Sequence, residues 1–469
     1  MARRVVMGLL FFPRGGSAQV ARYLAGALPP AGWDVSIACG SLGEPGEQSH
    51  AETFYAGLDV HALDYTSAAE APDPLLADPP FQPSYEDRAD APDRVFARVD
   101  DDVYERIVGI WEERLAAAGA ADADLLHLHH LTPINEAAQR AVPDVPRVGH
   151  VHGTEMLMLR EIDEGPPSGW EHAQAWAERM RGWARGCERL FVLSPDAVRR
   201  VPELLGVEPE RVVWAPNGFD PEGFQRRPLA GAARLEHWRS WLVEEPRGWD
   251  RSGTPGSVAY SEEDLAPFEA GGPTMIYVGR YTEVKRIPLL IRAHARARQR
   301  FDKPAPLVLL GGFPGEWEGE HPLDVVEETG DPEVFLAGWR GHDDLPAGLN
   351  AADLLVLPSV REQFGPVLVE AMACGLPPIA VDAHGPAEVV DAGDTGWLVP
   401  PDDEDAMVEA LVEAVNDGAE RSRRGERAYE VARGRYSWPA LARGVAQVYE
   451  DVRSGRPAAE GAQTLLEAD

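Results

Sequence analysis

The chain of 469 residues contains few cysteines and lacks long apolar runs. Its three cysteines, Cys39, Cys187 and Cys374, lie far apart, which excludes a disulfide framework and a cysteine metal site and favours a reducing cytoplasm. No stretch of 18 or more apolar residues occurs, so the sequence predicts no membrane-spanning helix. The apolar start is followed by Pro13-Arg-Gly-Gly and not by a small-residue cleavage site, so we interpret residues 4–12 as a buried strand.

Positive charge is also scarce. The formal net charge is −34 and, of 44 basic residues, only Lys285 and Lys303 are lysines. Binding to nucleic acid needs clustered cations, so this balance argues against a nucleic-acid partner. It also disfavours stable association with an anionic membrane, and no basic amphipathic helix is present to dock on one. A saline cytosol and an acidic solvated surface are both compatible with the charge.

Short apolar runs alternate with helical patterns over most of the chain, as in Val5–Phe12 followed by Ser17–Leu28. Such alternation is typical of α/β domains in which helices cover both faces of a parallel sheet. The length and the number of strands favour two domains over one. We therefore predict two Rossmann-like, doubly wound domains that face each other across a cleft, with ligands beyond the carboxyl ends of the strands.

Breaks in this alternation suggest the domain limits. Residues 40–103 and 225–272 interrupt the pattern, and we interpret them as an insertion and a connector. Ser437 before Trp438-Pro439 indicates the start of a C-terminal helix, which we expect to return to the first domain. The predicted order is a first domain over 1–224, the connector, a second domain over 273–436, the helix over 437–454 and a disordered tail over 455–469.

Two glutamates follow an apolar strand in the second domain. Glu362 lies in the loop after the strand, and Glu370 lies one turn into a helix predicted to start at Pro366. Helical side chains lean toward the amino end, so both carboxylates can face the space above that end. The free backbone N–H groups of Phe364–Leu368 would favour a phosphate there. The structural alternative is that Glu370 pairs with an arginine and Glu362 is solvated, and the spacing alone does not decide between them.

A basic loop follows another strand of the second domain. Arg280 and Lys285 flank it, and only Glu283 between them carries a negative charge. The loop therefore keeps a net positive charge that suits a diphosphate. The alternative is a solvated basic loop, but Lys285 is one of two lysines in the chain, which counts against it.

The first domain carries two weaker signals. Gly15-Gly16 opens a predicted helix, where paired glycines let a backbone approach a ligand closely, although an ordinary turn explains them equally well. The pairs His127-x-His129 and His150-x-His152 each follow an apolar run, and alternate strand positions share a face. No nearby cysteine or carboxylate set completes a metal site, so we predict no metal and expect structural or substrate-contacting histidines.

Taken together, these stretches resemble glycosyltransferase family 4, a group of retaining enzymes with the GT-B fold. The order of the motifs and their strand contexts match over most of the chain. The matching segments are Gly15-Gly16, His152-Gly153, Pro216–Asp220, Arg280 with Lys285, Glu362 with Glu370–Gly375, and His384-Gly385 with Glu388.

The resemblance implies an activity: a hexose would move from a nucleotide-diphosphate sugar, with UDP favoured, to an unidentified acceptor with retention of configuration. Arg280 and Lys285 would stabilise the leaving diphosphate, which needs neither a metal nor a cofactor. Glu370 would accept hydrogen bonds from the ribose, and Glu362 would bind hydroxyls of the donor sugar. His152 would contact that sugar near its primary hydroxyl. The implied catalytic residues are Arg280, Lys285, Glu362 and His152, and the implied donor-binding residues are Gly15, Gly16, Phe364, Gly365, Pro366, Val367 and Glu370.

Other classes share this architecture. A phosphorylase would need a lysine for pyridoxal phosphate, and Lys285 is already placed for a phosphate group. A nucleotide-sugar epimerase and a non-catalytic sugar-binding descendant remain as alternatives. The sequence leaves the acceptor, the linkage and the oligomeric state open. We further hypothesise that the two domains close around the donor, with the joint in Gln225–Gly272.

Overall fold

The computed structural model describes residues 3–86, 92–362, 364–456 and 463–465. The chain forms two compact units, one of residues Met1–Asn217 with Trp438–Asp469 and one of Gly218–Ser437. Each unit is an α/β structure built on one parallel sheet. No helix in the described ranges combines the length and the apolar character that a membrane crossing requires.

The strands are short and mostly buried, as expected for parallel sheets covered on both faces. They are β1 Arg3–Leu9, β2 Trp33–Ser41, β3 Asp59–Asp64, β4 Leu125–His129, β5 Arg147–Val151, β6 Arg189–Val192, β7 Val212–Trp214, β8 Met275–Gly279, β9 Leu307–Gly311, β10 Val334–Gly338, β11 Leu354–Leu357, β12 Pro378–Val381, β13 Trp397–Val399 and β14 Gln463–Thr464.

Helices lie between most of these strands, which is the connection that parallel pairing requires. They are α1 Gly15–Ala27, α2 Ala51–Phe54, α3 Thr66–Ala69, α4 Asp101–Ala117, α5 Pro133–Ala141, α6 Thr154–Glu164, α7 Ala173–Arg185, α8 Pro195–Leu205, α9 Gly231–Arg239, α10 Ala266–Glu269, α11 Ile287–Ala297, α12 Pro322–Thr329, α13 Leu345–Asn350, α14 Pro366–Ala373, α15 His384–Val389, α16 Glu404–Asn416, α17 Gly418–Val431 and α18 Trp438–Arg453.

The strand orders are those of doubly wound folds. The first unit has the order β14-β7-β6-β5-β4-β1-β2-β3, and the second has β10-β9-β8-β11-β12-β13. In both sheets the order reverses beside the first strand of the unit, β1 or β8. Loops at such a reversal diverge and leave a crevice at the carboxyl ends of the strands. The predicted α/β class with two Rossmann-like units is therefore confirmed.

The segment 40–103, interpreted from the sequence as an insertion, contains part of the regular fold. Strand β3 pairs with β2 in parallel over six residues and forms one edge of the first sheet. Its central side chains are only half buried, so the segment lacks the continuous apolar run typical of an inner strand. The prediction of an insertion is therefore wrong for β3.

The segment 225–272, interpreted as a connector, is packed within the second unit. Trp238 and Trp249 are fully buried, and their indole N–H groups donate to the carbonyls of Ala351 at 3.2 Å and Gly312 at 2.9 Å. Arg234 forms a two-pronged ion pair with Asp353 at 2.7 and 2.9 Å. Large buried tryptophans tie this segment to the unit, so it is not a free-standing connector.

The C-terminal helix α18 belongs to the first unit, as the sequence predicts. It packs against α1, and Tyr449 on its buried face lies against Trp33, with ring centroids 4.9 Å apart. In the tail predicted to be disordered, Gln463–Thr464 instead form β14, which pairs with β7 and covers an otherwise open sheet edge. Residues 457–462 and 466–469 lie outside the described residues.

Candidate functional site

The basic loop of the second unit follows β8, beside the reversal of strand order. Arg280 is exposed, and Lys285 ends a short turn that leads to α11. The Lys285 side chain is only 16% exposed. Its burial, together with the nearby charge of Arg280, lowers the pKa of Lys285 to about 8. A partly desolvated ammonium group interacts more strongly with an anion than a solvated one does.

Glu362 is the ion-pair partner of Lys285, 77 residues away in sequence. The loop after β11 is fixed to the β8 loop because the backbone N–H of Val360 and the hydroxyl of Ser359 both donate to the carbonyl of Val284, at 2.9 and 3.2 Å. The Glu362 side chain is 14% exposed, so the alternative of a solvated Glu362 is wrong.

Glu370 lies on α14 with 7% of its surface exposed. Its partner is His342, whose Nε2 lies 3.0 Å from Oε1 of the carboxylate. That hydrogen bond and the negative charge of Glu370 raise the pKa of His342 above its ordinary value. Phe224 packs edge-on against the imidazole, with ring centroids 5.3 Å apart. The structural alternative from the sequence, an arginine partner for Glu370, is therefore wrong in the identity of the partner.

The start of α14 has the geometry that its sequence predicts. Gly365 precedes the helix with φ +78°, a left-handed conformation that favours glycine, and Pro366 occupies the first turn. Not every N–H of Phe364–Leu368 is free, because Leu368 donates to the carbonyl of Gly365 at 2.9 Å. Val367 is half buried and Phe364 is buried, with its ring 5.8 Å from that of Tyr436.

Two exposed aromatic residues at the carboxyl edge of the second sheet were not among the residues predicted from the sequence. Phe313 follows β9 and Trp339 follows β10; they are 52% and 46% exposed, and their rings meet edge to face at 5.7 Å. The sequence signal was a large aromatic residue one or two positions after a strand that ends in glycine. His342 was missed as well, because nothing in the sequence links it to Glu370.

In the first unit, Gly15 and Gly16 start α1 after β1 and are exposed. Gly15 has φ +68°, and a Cβ atom at either position would meet no atom within 4 Å. The space above these residues is therefore open. At Gly16, where φ is not left-handed, packing within the unit does not require glycine.

The histidines of β4 and β5 form a stacked row on one face of the first sheet. His129 lies directly opposite His150 in the strand register, and successive ring centroids along His127, His129, His150 and His152 are 4.6, 5.2 and 4.5 Å apart. Burial lowers the pKa of His150 to about 3 and those of the other three well below their ordinary value. All four rings are therefore neutral at physiological pH.

This row is held by hydrogen bonds between rings. His129 Nδ1 lies 3.0 Å from His152 Nε2, and the hydroxyl of Tyr449 lies 2.6 Å from His127 Nδ1. His127, His129 and His150 each offer a ring nitrogen within 4.8 Å of the others, so these three could supply ligands to a metal ion. Two of the ring nitrogens, His150 Nδ1 and His127 Nε2, lie 3.3 Å apart, a distance that suits both a hydrogen bond and two ligands of one zinc ion with Zn–N bonds of about 2.0–2.1 Å.

A hydrogen-bonded pair, His130 and Glu155, lies at the end of β4. His130 has φ +66°, unusual for a residue other than glycine, and its Nδ1 lies 2.7 Å from Oε1 of Glu155. Glu155 is fully buried at the start of α6. Although burial acts to raise it, the charge and hydrogen bond of His130 hold the pKa of Glu155 below its ordinary value. The same carboxylate accepts a hydrogen bond from the backbone N–H of His152 at 3.3 Å, which fixes the turn between β5 and α6.

The candidate residues thus fall into two groups. In the second unit the structure brings together Lys285 and Glu362, with Arg280 after the same strand as Lys285 and Glu370 on the helix that follows Glu362. In the first unit, Gly15 and Gly16 follow β1 and His152 follows β5.

Two family profiles match the chain. Residues 14–222 match the family described as Glycosyltransferase Family 4, and residues 263–431 match Glycosyl transferases group 1. Among curated proteins, the D-inositol 3-phosphate glycosyltransferase of Kineococcus radiotolerans is 30% identical over 343 residues, which cover 68% of this chain and 69% of that protein. The phosphatidyl-myo-inositol mannosyltransferase of Mycobacterium leprae is 31% identical over 220 residues, which cover 46% of this chain and 57% of that protein.

Another relative, the D-inositol 3-phosphate glycosyltransferase of Corynebacterium kroppenstedtii, is 33% identical over 43% of this chain and 46% of its own length. The chain thus spans about half the length of several of these relatives.

Sucrose-phosphate synthase from Thermosynechococcus elongatus has the same fold, with a TM-score of 0.59 and 19% identity over 97% of this chain and all of the other. Anabaena HepE, in complex with UDP, aligns with a TM-score of 0.61 and 17% identity over 96% of this chain and all of the other.

Proposed function

The chain belongs to glycosyltransferase family 4, and from that premise we propose that it transfers a hexose from a nucleotide-diphosphate sugar, UDP-sugar above all, to an acceptor hydroxyl with retention of configuration. The observation that carries the proposal is the pairing of Lys285 with Glu362 beside the reversal of strand order in the second sheet. This pairing keeps a half-buried cation at the crevice where a doubly wound fold binds ligands.

The proposed donor site divides by charge. Arg280 and Lys285 supply the positive charge for the diphosphate, and they do so without a metal. Glu362 is then free to accept hydrogen bonds from sugar hydroxyls when the phosphate replaces it as partner of Lys285. Glu370, already oriented by His342, accepts from the ribose hydroxyls. Phe313 and Trp339 offer exposed aromatic surface to the base.

The proposed reaction is a same-face displacement. The acceptor oxygen forms a bond to the anomeric carbon as the bond from that carbon to the phosphate oxygen breaks, and the acceptor proton passes to that phosphate oxygen. Arg280 and Lys285 stabilise the negative charge that develops on the departing diphosphate. Neutral His152 is suited to hydrogen-bond a sugar hydroxyl, since burial keeps it uncharged.

Two measurements test this function. The melting temperature is recorded with UDP, ADP, GDP and dTDP, since a ligand that binds the folded state raises it more the tighter it binds. Release of UDP from UDP-hexose is then followed with and without a panel of sugar acceptors. We expect the largest shift with UDP and acceptor-dependent release. Stabilisation without release would favour the sugar-binding alternative, and interconversion of the donor sugar would favour the epimerase.

A further inference from the structure

The first unit contains a cavity of about 350 Å³ that no residue of the proposed donor site lines. This volume lies at the lower end of the range for small-molecule sites and suits a single sugar ring. The cavity lies over the start of α6, the helix that follows β5 and His152. It is therefore at the carboxyl edge of the first sheet, where such folds bind ligands.

The cavity wall has an aromatic and apolar side. Tyr85 and Trp170 are both buried, at 7% and 6% exposure, and Met158 lies beside them. Tyr85 is fixed because its hydroxyl donates to the carbonyl of Leu131 at 2.8 Å and its ring lies 5.7 Å from that of His130. Rigid aromatic side chains offer flat apolar surface to the C–H face of a sugar and lose little conformational entropy.

The polar groups of the wall favour one kind of ligand. Glu86 and Glu161 are exposed carboxylates at the cavity, Thr154 adds a hydroxyl, and none of the described lining residues is basic. A wall with two carboxylates and a hydroxyl but no described cation suits a neutral or cationic polar ligand.

We propose that this cavity, which we call the α6 pocket, binds the acceptor, and that the acceptor is an unphosphorylated sugar or cyclitol, bound more tightly when it carries an amino group. This inference rests on the proposed function, because an acceptor site has meaning only for a transferase. Two carboxylates attract an ammonium group and repel a phosphate. The net charge of −34 acts in the same direction on every approaching ligand.

The experiment measures binding of three matched sugars to the full chain by saturation-transfer NMR: glucosamine, glucose and glucose 6-phosphate. We expect dissociation constants that rise in that order. UDP binding is measured in the same samples by melting temperature. If UDP binds and none of the sugars does, or if glucose 6-phosphate binds as tightly as glucosamine, the proposal for the α6 pocket is overturned while the proposed function stands. If UDP does not bind, the proposed function itself fails.

Variants locate the site. Glu161→Gln is expected to weaken glucosamine about two- to fivefold and to leave glucose unchanged, because it removes a charge at an exposed position. The matched control is Glu164→Gln on the same helix, whose carboxylate pairs with Arg160 at 3.7 Å and does not line the cavity. Trp170→Leu keeps an apolar side chain but removes the aromatic ring from the wall, and is expected to weaken all three sugars about three- to tenfold. Equal effects of the two glutamine variants would contradict the assignment.

Discussion

The two units present opposite chemistry at the carboxyl ends of their sheets. In the second unit the functional candidates are charged and paired, as Lys285 is with Glu362 and Glu370 with His342. In the first unit the corresponding edge carries neutral, stacked imidazoles whose protonation is suppressed by burial. The paired cation of the second unit is thus placed where a diphosphate is proposed to bind, and the neutral row of the first unit includes His152, which is proposed to contact a hydroxyl of the donor sugar.

The largest expected effect comes from removing the cation of the second unit. Lys285→Ala should lower turnover about 100- to 1,000-fold, because a charge that stabilises the leaving diphosphate is lost from a partly desolvated position. Steady-state release of UDP measures it. The chain offers a matched control, since Lys303→Ala removes the only other lysine, which is exposed. Normal turnover of Lys285→Ala would refute the diphosphate role.

The next largest effect is expected on the affinity for the donor and not on the rate of the chemical step. Glu370→Ala should weaken donor binding about tenfold to 100-fold, because a hydrogen bond to a charged group contributes about 1.5–3 kcal/mol to the free energy of binding. The dissociation constant of UDP, from calorimetry, is the measurement. Glu409→Ala is the control, because Glu409 is an exposed partner of Arg300 in the same unit. An unchanged dissociation constant with Glu370→Ala would remove the ribose contact from the proposal.

A pH profile sharpens the contrast between the units. Because burial and Arg280 lower the pKa of Lys285 to about 8, the free enzyme loses this positive charge as pH rises through 8. We expect kcat/KM for the donor to fall about tenfold per pH unit well above that value, since kcat/KM reports ionisations of the free enzyme. Burial lowers the pKa values of the four stacked histidines, His127, His129, His150 and His152, well below the ordinary value, so this row should add no step above pH 6.

Lys285→Arg provides the control for this profile. Arginine keeps its charge at every pH used, so the variant should be slower but should lose the decline near pH 8. A decline that persists in Lys285→Arg would assign the ionisation to another group.

The fold was predictable where local pattern and tertiary structure agree. Buried runs such as Val5–Phe12 and the proline-started helix α14 follow from periodicity and capping. Strand β3 was missed because its half-exposed position at the sheet edge gives no continuous apolar run. The packing of 225–272 was missed because its buried tryptophans are spaced irregularly, and only the folded unit reveals what they contact.

The sequence predicted which residues belong to the candidate site, but it did not predict which of them contact each other. Strand ends identified Arg280, Lys285 and Glu362, because parallel strands bring their carboxyl ends to one edge. The partner of Glu370 depends on a contact across 28 residues, between a short turn and a helix, and no spacing encodes it. The grouping of His150 with His127 and His129 could not be predicted for a related reason, since it depends on the register between β4 and β5.

The smallest effect is expected from removing metal ions, which tests whether the stacked histidines of the first unit hold one. Dialysis against a chelator should leave most of the activity, within about twofold, because Arg280 and Lys285 supply the charge stabilisation for which other enzymes use a metal. Complete loss that Zn²⁺ restores would instead assign a metal to His127, His129 and His150. His129→Asn would then abolish the restoration, whereas His321→Asn, in the second unit, would not. Because His129 Nδ1 also lies 3.0 Å from His152 Nε2, a metal held by His129 would couple the row to the residue proposed to contact the sugar.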